Sequence, residues 1–127
     1  MPLRIAIGSG RCADGVKSGD PNVRELCQCL TAKLATLQVE PAERLRSLEP
    51  TNAEHVRLSD REGILQTYRD DLGDGSCLIV IQGFVASWRF PRYFGGAGVG
   101  HMYAEGVVVS TGGTVVPADE KYLWEFR

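Results

Sequence analysis

Three side chains able to take part in acid-base chemistry occur at every second position: His101, Tyr103 and Glu105. On a β-strand this spacing places all three on one face, with neighbours about 6 to 7 Å apart, and turns Met102 and Ala104 towards the helices. His exchanges a proton near neutral pH, Glu can orient or charge it, and Tyr can donate a hydrogen bond. The pattern fits an acid-base or polar-ligand site, and it also fits the solvent face of a half-exposed sheet.

A second group of side chains suited to binding precedes a glycine-rich segment. Residues 88–94 contain four aromatic side chains and two arginines. Aromatic and arginine side chains are enriched at binding hot spots, and arginine stacks on aromatic rings. This predicts recognition of a partner or ligand, although the aromatics could equally close one end of the core. The candidate binding residues are Trp88, Arg89, Arg92, Tyr93 and Tyr103.

Residues 10–18 come within one position of a phosphate-binding loop, because Val16 is inserted between Gly15 and Lys17. The motif works only when its geometry holds Lys and Ser or Thr against phosphate and metal. The helix whose N-terminus should face the phosphates is also delayed to Asp20 and Pro21. These departures favour a solvent-exposed loop over a nucleotide site.

The four cysteines do not have the spacing of a zinc site. Cys27 and Cys29 are two positions apart, which on a helix means about 200° around the axis, so their thiols diverge. The first residues do not resemble an export signal, and we therefore expect reduced thiols and a cytoplasmic protein. No cofactor or metal site is predicted.

Composition indicates an ordinary globular domain spanning residues 1–127, with 43% hydrophobic and 24% charged residues. Fourteen Lys and Arg against sixteen Asp and Glu give a formal net charge of -2. A general nucleic-acid binder needs cationic surface to neutralise phosphates, so that class is disfavoured. No apolar run is long enough to span a membrane.

Helical signals dominate the chain before Gly73. A short strand over residues 3–7 is followed by a helix from Asp20, because Asp caps free N–H groups and Pro suits the first helical position. A shorter helix is predicted for residues 41–48, and residues 51–58 stay undecided. The capping-box pattern that begins at Ser59, with apolar residues at helical spacing behind it, predicts a third helix ending at Gly73.

Strand signals dominate after Gly75. We expect strands over residues 77–88, 101–110 and 121–126, with a hairpin turn at Gly112 and Gly113. The resulting fold class is α+β: one short N-terminal strand, about three helices, then a mainly antiparallel β-meander packed against the helices.

The functional prediction is a small, non-enzymatic binding or interaction module that recognises a protein partner or small ligand through residues 88–103. The alternative is a small enzyme with acid-base chemistry at His101 and Glu105 and an anion anchor at Arg89 or Arg92. Self-association through the last predicted strand is a further possibility, because an edge strand can pair with a second copy.

Overall fold

The computed structural model describes the backbone of residues 4–89 and 98–123, and the side chains of residues 10–86 and 100–123. The α+β class and the mainly antiparallel meander are confirmed. No helix in these ranges is long and apolar enough to cross a membrane. The elements are β1 (Arg4–Gly10), α1 (Cys12–Gly15), α2 (Pro21–Gln38), α3 (Ala42–Arg46), β2 (Thr51–Arg57), β3 (Glu62–Asp71), β4 (Cys77–Arg89), β5 (Gly98–Val109), β6 (Val115–Pro117) and α4 (Glu120–Leu123).

The strands form one sheet in the order β1-β5-β4-β3-β2. Strands β2 to β5 are antiparallel neighbours, whereas β1 runs parallel to the first half of β5. β6 pairs with residues 107–109 of β5. Since β4 occupies the other side of β5 along its whole length, β1 and β6 lie end to end on the same side. Between them, Glu105 of β5 has neither strand as its direct partner.

Helix α2 confirms the prediction made from Asp20 and Pro21. The Asp20 carboxylate accepts the Asn22 N–H at 2.9 Å, and proline occupies the first turn. One face of the helix is buried against β4 and β5, and each large aliphatic side chain fully buried there contributes about 1.5 to 3 kcal/mol. The buried apolar residues of α2 are Val23, Leu26, Cys27, Leu30 and Leu37.

The predicted third helix over residues 59–73 is wrong, because most of that segment is β3 and the undecided segment before it is β2. The capping pattern at Ser59 depends on a local partner, Glu62. Instead, Glu25 of α2 accepts both the backbone N–H of Ser59, at 2.9 Å, and its hydroxyl. A tertiary contact with α2 thus takes the place of the local hydrogen bond that the helical pattern requires at Ser59. The chain before Gly73 therefore contains a hairpin.

The two faces of the sheet are covered by different parts of the chain. Tyr103 packs with the core on the α2 side, whereas Ala104 packs on the other face with Leu123 of α4. Met102 and Ala104 were expected to face the helices: Ala104 packs with the short helix α4 and not with α2, and Met102 packs with Phe84 and Ala86. Gln82, buried on the second face, donates from Nε2 to the Leu123 carbonyl at 3.0 Å. α4 is thereby tied to the sheet by both an apolar contact and a hydrogen bond.

The predicted last strand over residues 121–126 is also wrong for residues 121–123, which belong to α4. Residues 124–126 lie outside the described part of the chain, so self-association there stays a prediction. The turn at Gly112 and Gly113 is confirmed, because it joins β5 to β6 and Gly113 adopts a φ of 90°. Gly73 also adopts a positive φ, 85°, in the β3 to β4 turn.

Candidate functional site

The strongest candidate site is built where β1 ends beside the break in the outer side of β5. The chain leaves β1 at Gly10 and turns at Arg11 into the single turn of α1. Because β1 is parallel to β5, this turn reaches the level of Tyr103 and then Glu105. The fold thus brings Arg11 and Glu105 together although they are 94 positions apart in the sequence.

Arg11 and Glu105 form a two-point ion pair. The guanidinium Nε donates to Glu105 Oε2 and Nη2 donates to Oε1, both at 2.7 Å. Oε2 also accepts the backbone N–H of Cys12 at 3.2 Å. The bond to Glu105 raises the pKa of Arg11, although partial burial opposes this. Glu105 therefore anchors the start of α1 and holds the guanidinium in one orientation.

The pair lines an open groove of about 550 Å³ between α1, α2 and β5. Most of the remaining wall is apolar, and Val16 at the end of α1 is 42% exposed. A volume of this size falls within the range of small-molecule sites, about 300 to 1,000 Å³. The groove residues are Arg11, Cys12, Ala13, Val16, Thr31, Leu34 and Glu105.

The floor beneath α1 is closely packed. A Cβ atom placed on Gly15 would stand 2.1 Å from the Cys27 sulfur and 3.0 Å from Cε1 of Tyr103. Since real Cβ contacts are longer, only glycine lets α1 approach α2 and β5 this closely. Burial is the main cause that raises the pKa of Tyr103. Its ring thus supports α1 from below.

The three residues predicted to act together on β5, His101, Tyr103 and Glu105, have different surroundings. Glu105 lines the groove and Tyr103 packs beneath α1. His101, half-buried, lies opposite Val85 of β4 and Gly8 of β1. His101 and Glu105 are four strand positions apart, roughly 13 Å along the strand. Glu105 bonds to Arg11 and Cys12 instead, so no hydrogen bond joins the imidazole and carboxylate among the described residues.

The predicted Arg and aromatic segment falls largely outside the described residues. Trp88 and Arg89 belong to the backbone of β4, which has an irregularity in its pairing with β5 between residues 86 and 88. Their side chains, and all of Arg92 and Tyr93, lie outside the described part. Binding through this segment therefore stays a prediction, as does the anion anchor at Arg89 or Arg92.

A second cavity, of about 380 Å³, lies at the start of α2, but its polar groups already bind one another. Asn22 Nδ2 donates to Asp60 Oδ1 at 2.5 Å, and the Asp60 N–H donates back to Asn22 Oδ1 at 3.2 Å. Arg61 Nη1 donates to the Ala86 carbonyl at 2.8 Å. These hydrogen bonds tie the start of α2 to the β2 to β3 turn, so the polar groups around the cavity have a structural role. Within the described ranges, no cluster of three or more His, Cys, Asp or Glu could hold a metal ion.

Sequence reasoning found Glu105 but missed Arg11 as its partner. The segment from Gly10 to Ser18 attracted attention only as an imperfect phosphate loop, and it contributes Arg11, Cys12 and Val16 to the groove instead. The signal that could have identified Arg11 is its position directly after a strand and a glycine. Comparison of the chain with protein-family models, with curated proteins and with solved structures finds no match in any of the three.

Proposed function

We propose that this protein is a small-molecule binding module and that its site is the groove between α1, α2 and β5. The observation that carries this proposal is the fixed Arg11–Glu105 pair in the wall of an otherwise mostly apolar groove. A few placed polar groups within apolar walls are the usual composition of a small-ligand site. The proposal keeps the binding function predicted from the sequence, but it places the site in the groove instead of at residues 88–103.

The ion pair selects the polar end of the ligand. Nε and Nη2 of Arg11 each donate once to Glu105, so three of the five guanidinium N–H groups have no partner among the described residues. Glu105 Oε1 accepts a single bond from these residues and retains acceptor capacity. The pair therefore offers both a donor and an acceptor to an incoming group.

A neutral head group suits this pair better than a charged one. The guanidinium and carboxylate charges already compensate each other, and Glu105 would repel an anion as Arg11 would repel a cation. An amide or hydroxyl can accept from Arg11 and donate to Glu105 at no such cost. The ligand class is thus an aliphatic or aromatic body with a neutral hydrogen-bonding end.

The acid-base alternative has less support. Glu105 already accepts three hydrogen bonds, and its partners are Arg11 and Cys12 rather than His101. A carboxylate held in this way is suited to positioning α1 and a ligand head group. The described residues give no observation that favours an enzymatic function over binding.

A matched series of eight-carbon probes tests the proposal by calorimetry: octanamide, octan-1-ol, octanoate and octylammonium. With about ten non-hydrogen atoms at about 0.5 kcal/mol each, octanamide should bind with a Kd on the order of 1 mM or tighter. The two neutral probes should bind at least about tenfold more tightly than the two charged ones. Absence of saturable binding by every probe, or preference for a charged probe, contradicts the proposal.

Two valines provide a matched pair of variants for the same titration. Val16 ends α1 and lines the groove, whereas Val39 ends α2 and lies outside it, and both are exposed. Val16→Asp places a charge in the apolar wall and should weaken octanamide binding about tenfold or more. Val39→Asp should leave the affinity unchanged. Equal losses in both variants would mean that the groove is not the site.

A further inference from the structure

Two buried cysteines, Cys12 and Cys27, belong to the packed core beside the groove. Cys12 begins α1 and is 5% exposed. Cys27 lies in the second turn of α2, on the face that packs on the sheet, and is 0% exposed. Both belong to one core cluster. The two side chains are close enough that each shifts the pKa of the other. All four cysteines of the chain are free.

The backbone around the pair holds the sulfurs together. Gly15 follows Cys12 by three positions, so both lie on the same side of the single turn of α1. The position of a Cβ on Gly15 is only 2.1 Å from the Cys27 sulfur, which means that this side of α1 rests directly on Cys27. The carboxylate of Glu105 fixes the first N–H of the same turn. The closeness of Cys12 to Cys27 therefore follows from the seating of α1.

Charged and titratable groups surround the pair. Cys27 raises the pKa of Cys12 and Cys12 lowers that of Cys27, while Glu105 opposes ionisation of both. Thr31 and Tyr103 complete the polar surroundings.

The other two cysteines lack such a partner thiol. Cys29 is half-exposed on a different side of α2, and burial raises its pKa. Burial also raises the pKa of Cys77, whose charged neighbours are Asp71, Arg69 and Arg46. The chain therefore supplies two internal controls for any oxidation at Cys12 and Cys27.

We propose that Cys12 and Cys27 form a reversible intramolecular disulfide when the protein meets a peroxide. One of the two sulfurs, as thiolate, attacks the peroxide, takes one oxygen as sulfenic acid, and releases water after proton uptake when the oxidant is hydrogen peroxide. The other sulfur then displaces water from that sulfenic acid and closes the disulfide. Both thiols are oxidised, one hydrogen peroxide is reduced, and two molecules of water leave. The open groove, which Cys12 lines, is the entry path for the oxidant.

Peptide mapping under non-reducing conditions tests this proposal directly. Cleavage after Lys and Arg releases Cys12 in the peptide 12–17, and Cys27 together with Cys29 in the peptide 25–33. In a Cys29→Ser, Cys77→Ser background, a small excess of hydrogen peroxide should join these two peptides within one chain, with loss of two hydrogen atoms. Dithiothreitol should restore both free thiols. The same treatment of the full wild-type chain should give the same link, with Cys29 and Cys77 still open to alkylation after unfolding.

Several results would overturn the disulfide. They are two thiols that stay alkylatable after peroxide, separate oxidation of each sulfur to sulfinic acid, or a wild-type link that uses Cys29. Cys12→Ser and Cys27→Ser in the two-cysteine background should each abolish the intramolecular link. If either variant fails to fold, the mapping of the two-cysteine protein alone still decides the question. The disulfide does not depend on the proposed ligand, so either can fail while the other stands.

Discussion

Removal of the Glu105 carboxylate is the perturbation that most directly probes how the groove is built. The side chain of Glu105 is 14% exposed and that of Arg11 is 32% exposed, so the pair lies between a surface and a buried ion pair. Glu105→Ala deletes two charge-assisted bonds from Arg11 and one from the Cys12 N–H. Because Arg11 can partly rehydrate, we expect a loss of about 2 to 3 kcal/mol, below the cost of breaking a fully buried pair.

The conservative variant separates charge from geometry. Glu105→Gln keeps an oxygen for the Cys12 N–H and should cost about 1 to 2 kcal/mol. At about 2.1 cal/mol/K per residue, a loss of 2 kcal/mol lowers the Tm of a chain this long by about 7 °C. Urea and thermal unfolding of Glu105→Ala, Glu105→Gln, Arg11→Ala and the Arg11→Ala, Glu105→Ala double variant measure these changes.

The double-mutant cycle supplies the refutation. Arg11 and Glu105 should show an interaction energy of about 1 to 2 kcal/mol, reduced by high salt because both side chains reach solvent. Lys33 and Glu54 form a control pair at 2.9 Å, with side chains 31% and 46% exposed. That surface pair should yield no more than about 0.5 kcal/mol. Equal interaction energies for the two pairs, or additive losses at Arg11 and Glu105, would refute the structural role assigned to Glu105.

Three further predictions concern Tyr103 and two glycines, each glycine with a matched control glycine. Burial raises the pKa of Tyr103, so its protonated form stabilises the fold below the unfolded value of about 10, and that stability is lost as pH rises through the folded value. Tyr103→Phe should therefore flatten the fall in urea midpoint between about pH 9 and about pH 11; identical slopes in both proteins would contradict this. Gly15→Ala should destabilise the fold by about 1 to 3 kcal/mol through overpacking, and Gly19→Ala, which has no atom within 4 Å of its added Cβ, should be nearly neutral in the same denaturation assay. Gly73→Ala should cost about 1 to 2 kcal/mol because its φ is positive, whereas Gly112→Ala should cost much less; comparable losses would show that backbone strain is not the cause.

Local signals were sufficient where the fold uses local partners. α2 was predictable because Asp20 caps the helix that it precedes and the buried stripe recurs at helical spacing. The hairpin turn at Gly113 was predictable because its positive φ favours glycine. Both signals lie within a few residues of the structure that they specify.

Local signals failed where tertiary contacts replaced local ones. Ser59 looked like a helix cap, yet its partner is Glu25 of α2, 34 positions away. The apolar residues behind it fit a helix by spacing but are shared between two faces of β3. Leu65 packs on the α2 side, while Gln66 is buried as its neighbour in the strand. A strand buried on both faces carries no clean alternation that would separate it from a helix.

Only one partner of the ion pair at the candidate site could be predicted, for the same reason. Glu105 could be selected from its residue type and spacing, but its partner Arg11 depends on the parallel pairing of β1 with β5. The sequence does not reveal which strand β1 joins, so it cannot bring residues 94 positions apart together. The same pairing seats α1 over Cys27 and brings Cys12 close to it. Both proposals thus arise from one long-range feature of the fold.

Amide chemical-shift mapping with octanamide tests the central claim most directly. Titration of the isotope-labelled protein should give saturable shifts that concentrate at residues 11–16, at Thr31 and Leu34, and at Glu105, with little change at the exposed control Val39. Shifts concentrated instead at residues 88–103, or spread evenly over the sheet, would contradict the claim that the groove between α1, α2 and β5 is the binding site.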